Sequence, residues 1–105
     1  MIDLSSKTAV VTGAGQGVGL GIATALAKHG AKVALLGRTF DKVNKASKKL
    51  NKEGFTTIAV ECDVKHEESI DLAIEQIISE FTTINVLINN AQEVPLGLSL
   101  IHISE

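Results

Sequence analysis

Four short apolar runs rich in valine and isoleucine, alternating with three amphipathic patterns, constrain the fold of this chain more than any other feature. Residues 8–12, 33–36, 57–62 and 84–88 read as strands buried on both faces, because a strand with one wet face would alternate apolar and polar side chains. Between them, apolar residues recur at helical spacing: Ile22, Ala23, Leu26 and Ala27; then Val43, Ala46 and Leu50; then Ile70, Ala73, Ile74, Ile77, Ile78 and Phe81. Gly30 and Gly54 stand where the first two helices should stop, and Asp41 where the second should start. Strand, helix and strand repeated three times require parallel strands joined by right-handed crossovers. The expectation is an α/β fold, half of a doubly wound parallel sheet.

In the nucleotide-binding version of that sheet the strand order begins 3-2-1, and the fourth strand is placed on the other side of the first. The jump opens a crevice beyond the C-terminal ends of strands one and four, which directs attention to the residues after Thr12 and Ile88. The first of these segments reads Thr12-Gly13-Ala14-Gly15-Gln16-Gly17-Val18-Gly19. Residues without a Cβ allow a tight strand-to-helix turn and let a diphosphate approach the main-chain N–H groups at a helix N-terminus. No Gly-Lys-Ser or Gly-Lys-Thr follows, which excludes a nucleoside-triphosphate P-loop.

Composition removes other classes. A chain of 105 residues, 45% apolar and 21% charged, forms one domain that buries somewhat over ~60% of its unfolded surface. A net charge of -2 supplies no basic field for nucleic acid or an anionic membrane. Cys62 is the single cysteine, so no internal disulfide forms, and its apolar, β-branched neighbourhood suits a buried small residue in a reducing compartment. No leader-like N-terminus and no apolar run near the ~20 residues of a membrane span are present, so a cytoplasmic parent protein is expected. His29 and His66 stand on solvent-facing positions away from other metal-binding residue types, and no metal site is expected. Glu67 and Glu68 suit the first turn of a helix. Lys42, Lys45, Lys48, Lys49 and Lys52 read as a solvated helix face.

The spacing Thr-Gly-x-x-x-Gly-x-Gly over residues 12–19, Asp63-Val64 after the third strand, and Asn89-Asn90-Ala91 after the fourth occur in order on the expected strand ends. In these three motifs the chain resembles the short-chain dehydrogenase/reductase family over about residues 7–97. The resemblance implies a Rossmann-type fold and a nicotinamide dinucleotide contacted by Gly13, Gly15, Gln16, Gly17, Val18 and Gly19. It further implies adenine contacts from Asp63 and Val64, and a place for Asn90 and Ala91 at the switch point. Asp63 is also read as a cap of the helix that begins near Glu67, and Asn89 and Asn90 as residues that hold the sheet open. Gln92 replaces the family's glycine.

By the same resemblance, the parent is an oxidoreductase that interconverts a carbonyl and an alcohol on a small molecule by hydride transfer, and is a homo-oligomer. That chemistry uses a Tyr as acid/base, a Lys that lowers its pKa and a Ser that orients the substrate oxygen. The chain contains no tyrosine, so no catalytic residue is assigned, and the chain alone is expected to be inactive. Residues 1–97 are expected to be the N-terminal part of a single NADP-binding domain, truncated after the fourth strand. Residues 98–105, Leu-Ser-Leu-Ile-His-Ile-Ser-Glu, read as the in-frame translation of a sequencing-library adapter. The strand ending Val86-Leu87-Ile88 is then an exposed edge, and poor folding is expected.

Cofactor choice rests on Leu35-Leu36-Gly37-Arg38-Thr39. An acidic residue at the end of the second strand binds the ribose 2′-hydroxyl of NAD, whereas a nearby Arg accommodates the 2′-phosphate of NADP. Gly37 stands where the family's NAD-selective Asp would be, and Arg38 offers a planar, permanently charged fork, so NADP is expected. Gln16 occupies a place where many NADP-binding members carry a second basic residue, which moderates the preference. Two other classes compete. A non-catalytic NADP-sensing module would share all of these features. An S-adenosylmethionine-dependent methyltransferase also uses a Gly-x-Gly-x-Gly turn, but its usual acidic residues would fall near Val11 and Gly37, and neither is acidic.

Overall fold

The computed structural model describes residues 3–91. The elements alternate as the periodicity requires: β1 (Thr8–Thr12), α1 (Gly17–Lys28), β2 (Lys32–Gly37), α2 (Phe40–Lys52), β3 (Thr57–Glu61), α3 (Glu67–Phe81) and β4 (Val86–Ile88). The strands form one sheet in the order β3-β2-β1-β4, all parallel, which is the expected Rossmann-type arrangement. β1 is central, with Val10 opposite Ala34 of β2 and Leu87 of β4.

Successive strand residues point to opposite faces, and each face has its own core. Val11, Val33 and Leu35 pack with Ala23, Ala27, Val43 and Leu50 beneath α1 and α2. Val10, Ala34, Leu36 and Val60 pack with Ile70, Ala73, Ile77 and Phe81 beneath α3. Apolar runs on these strands therefore satisfy two cores at once. Among the described residues β4 pairs with β1 alone, and its three residues are only half-buried, as an edge strand requires.

Gly30 and Gly54 end α1 and α2 through the same pair of bonds. Their N–H groups donate to the carbonyls of Ala27 and Asn51 (3.0 Å each), and the following Ala31 and Phe55 N–H groups donate to Leu26 and Leu50 (3.1 Å each). These are the two bonds of a Schellman stop. α2 begins at Phe40 with Thr39 as its N-cap, so Asp41 lies inside the first turn rather than at the start. β3 stops at Glu61, one residue short of the expected end. Ile84 is a buried core residue ahead of β4 rather than part of it.

Cys62 is buried, and desolvation pushes its thiol pKa up. His29 differs from expectation: it is the half-buried C-cap of α1, and its carbonyl accepts a bond from the Leu4 N–H (2.7 Å). Among the described residues, no helix is long and apolar enough to cross a membrane, and no three His, Cys, Asp or Glu side chains gather as a metal site. Gln92 and the segment 98–105 lie outside the described residues.

Candidate cofactor site

Because all four strands are parallel, the segments that follow them emerge along one rim. Three backbone relations show this: Thr12 is opposite Leu36, Gly37 is opposite Glu61, and the Cys62 N–H donates to the Gly37 carbonyl (2.9 Å). The Gly-rich turn, the stretch 37–39, Asp63-Val64 and the stretch 89–91 are thereby brought side by side, although up to 79 positions separate them in the chain.

At the β1–β4 corner a single hydroxyl organises the rim. Thr12, 1% exposed, accepts at Oγ1 from the backbone N–H groups of Asn90 (2.9 Å) and Ala91 (3.0 Å) and donates to Asn89 Oδ1 (3.1 Å). One donor and two acceptor positions are all a hydroxyl has, so Thr12 is saturated. The Asn90 side-chain amide donates to the Gly13 carbonyl (3.2 Å). Asn90 therefore braces the turn, which is the structural one of its two sequence readings. The sequence reading places Thr12 at the head of the Thr-Gly-x-x-x-Gly-x-Gly motif but gives it no contact of its own; the structure adds its part as the hydroxyl that ties the two strand ends together.

The glycines of the turn answer different demands. A Cβ on Gly19 would stand 2.0 Å from the Gly13 carbonyl oxygen and 2.6 Å from Asn90 Nδ2, so α1 packs on the turn only because Gly19 has none. A Cβ on Gly15 would meet Lys42 Cβ at 3.0 Å, which makes this glycine a seat for the first turn of α2. Gly17, with φ +61°, has nothing within 4 Å of where a Cβ would stand. It opens α1, whose N-cap Gln16 makes no side-chain cap bond and whose first turn holds no acidic residue. α3, by contrast, begins with Glu67 and Glu68. The first N–H groups of a helix lack intrahelical partners and carry a positive partial charge, so α1 presents an anion-receptive end uncompensated by any carboxylate of its own. Val18, 71% exposed, lies on the open side of that turn.

At the β2–α2 corner a cleft of about 190 Å³ is bordered by Gly13, Gln16, Gly37, Arg38, Thr39 and Lys42. Its polar rim is solvent-facing, with Arg38, Thr39 and Lys42 all exposed. Lys42 does not simply share the solvated lysine face expected of α2: its Nζ donates to Gln16 Oε1 at 3.0 Å. Beyond β3, Asp63 is partly buried. Its Oδ1 accepts from the Lys65 N–H (3.0 Å), and Oδ2 lies 3.7 Å from His66 Nε2. The N-cap of α3 is His66, with no side-chain cap bond, so Asp63 forms a local turn rather than the helix cap. Val64 is buried in the core under α3, which leaves only its backbone for a ligand.

These observations fit a dinucleotide: a helix N-terminus open to a diphosphate, a rim cleft with two cations, and a carboxylate at the end of the next strand. Sheet order and parallel crossovers define a Rossmann-type fold. The chain belongs to the short-chain dehydrogenase family, whose model matches residues 7–97. It is 36% identical over 91 residues to 5-keto-D-gluconate 5-reductase of Escherichia coli K12, covering 87% of this chain and 36% of the relative. It is 38% identical over 97 residues to oxidoreductase UcpA of Salmonella typhimurium, covering 92% and 36%. L-sorbose reductase of Gluconobacter frateurii, solved with NADPH and L-sorbose, superposes with a TM-score of 0.82 at 35% identity, covering 89% of this chain and 36% of that one. The chain thus spans about a third of the length of these relatives.

Proposed function

We propose that this chain is the NADP(H)-binding part of an oxidoreductase that interconverts a carbonyl and an alcohol on a small molecule. The observation that carries the cofactor choice is the β2–α2 corner, where Gly37 leaves no carboxylate to repel a phosphate and Arg38 borders the cleft. The solved relative that holds NADPH supports the same reading. Gly13, Gly15, Gln16, Gly17, Val18 and Gly19 would hold the diphosphate through backbone N–H groups at the start of α1. Arg38 would hold the 2′-phosphate. Asp63 and the Val64 backbone would flank the adenine, with Asn90 and Ala91 at the switch point. When bound, the nicotinamide would supply or accept the hydride. The chain's own residues bind and orient it, and none is proposed as catalytic. In the whole protein we propose a cytoplasmic homo-oligomer.

Titration of NADPH and NADH against the whole protein tests this. A charge-assisted hydrogen bond contributes roughly 1.5–3 kcal/mol, so Arg38→Ala should weaken NADPH about ten- to a hundred-fold and leave NADH nearly unchanged. Tighter NADH binding by the wild type, or equal loss of both cofactors, would overturn the assignment. Gly37→Asp should reverse the preference, but a Cβ there would stand 2.9 Å from Cγ1 of the buried Val43. The exchange therefore needs Val43→Ala beside it to make room.

A further inference from the structure

We propose that Lys42 is a second cation for the 2′-phosphate and that Gln16 holds it in place, a proposal that rests on the NADP reading above. A phosphomonoester carries about -1.5 to -2 charges near neutral pH, more than one guanidinium neutralises. Lys42 borders the same cleft as Arg38 and is directed toward it by two contacts. Its Cβ is seated on Gly15, where a methyl group would stand only 3.0 Å away, and its ammonium donates to Gln16 Oε1 at 3.0 Å. An ammonium has three donors, so two remain for phosphate oxygens after the bond to Gln16.

Local stability does not account for a lysine at this place. Lys42 lies in the first turn of α2, the positive end of the helix dipole, where a cation is disfavoured. Lys49 and Lys52, in the last turn, are placed as the dipole favours. A residue that breaks a local rule while bordering a cleft is better explained by what the cleft binds. Gln16 has no charge of its own to offer. Its side-chain oxygen instead draws the ammonium from α2 across to the Gly-rich turn, which makes it a positioning residue.

The test measures dissociation constants of NADPH, NADH, adenosine 2′,5′-bisphosphate and adenosine 5′-monophosphate for the whole protein. Lys42→Ala keeps the Cβ that packs on Gly15 and removes only exposed atoms. It should weaken NADPH and the bisphosphate about three- to ten-fold, as an exposed ion pair allows, and leave NADH and the monophosphate unchanged. Lys42→Arg should restore binding to within about two-fold. Gln16→Ala should cost NADPH about two-fold, and the Gln16→Ala/Lys42→Ala double variant should lose no more than Lys42→Ala alone, because Gln16 acts through the lysine. Equal losses for both nucleotide pairs, or none, would overturn the role of Lys42. Strictly additive losses would overturn that of Gln16. Arg38→Ala, measured in parallel, separates this failure from failure of the NADP reading: an Arg38 effect confined to NADPH with a silent Lys42 sinks the second cation alone, whereas no 2′-phosphate discrimination in any variant sinks both.

Discussion

The β1–β4 corner and the β2–α2 corner lie on the same rim and are built in opposite ways. At the first, Thr12, Asn89, Asn90, Gly13 and Gly19 are joined by hydrogen bonds and contacts so close that one added methyl group has no place. At the second, Arg38, Thr39 and Lys42 are exposed around a cleft, and Lys42 and Gln16 meet through one hydrogen bond between exposed, flexible side chains. The difference separates two tasks. A saturated, close-packed network fixes where the backbone runs, and therefore where any dinucleotide would lie. An open, charged rim discriminates between dinucleotides without altering the backbone. Substitutions at the first corner should damage everything together, and substitutions at the second should change a ratio.

The severest trial of the first corner is the 105-residue chain on its own. β4 is an edge strand of three half-buried residues held by β1, and α3 is the one described helix on the face that Leu87 joins. Aggregation or partial order is expected on size exclusion and in a thermal melt, with no turnover of carbonyl substrates by NADPH. A soluble monomer with a sharp cooperative transition would show that the Thr12 network alone suffices to hold the edge.

Gly19→Ala should follow in size. The new methyl meets a carbonyl oxygen at 2.0 Å, and over-packing against backbone costs about 3 kcal/mol at the upper end of its usual range. A large fall in the unfolding midpoint of the whole protein, with NADPH and NADH binding lost alike, is expected. Retention of either cofactor at wild-type affinity would mean that α1 can shift without disturbing the turn.

Thr12→Val is the gentler trial, nearly the same in shape but without the hydroxyl. It leaves the half-buried Asn90 and Ala91 N–H groups without their acceptor and should cost about 1–3 kcal/mol in denaturant unfolding, the net value of two hydrogen bonds at roughly 0.5–1.5 kcal/mol each. Both cofactors should weaken in parallel. A change in the NADPH-to-NADH ratio in this variant would erase the distinction between the corners.

Much of the fold was legible because its signals are local. Alternation of apolar runs with helical stripes, and glycines at helix ends, depend on a residue's near neighbours in the chain, so β1, α1, α2 and α3 fell where the pattern placed them. Element ends were less legible. Thr39 caps α2 in place of Asp41, and Ile84 is buried without joining β4, because both outcomes depend on what the neighbouring segment packs against.

The site divides in the same way. The sequence by itself determined the Gly-rich turn, the Gly37-Arg38 pair and the strand order that brings them to one rim, since each follows from spacing along the chain and the handedness of βαβ crossovers. Only the tertiary structure decided that Asn90 braces Gly13, that Thr12 serves three partners and that Lys42 crosses to Gln16. Those contacts join residues 77, 78 and 26 positions apart. A side chain's partner at such distances is chosen by how sheet and helices pack, and periodicity carries no trace of it.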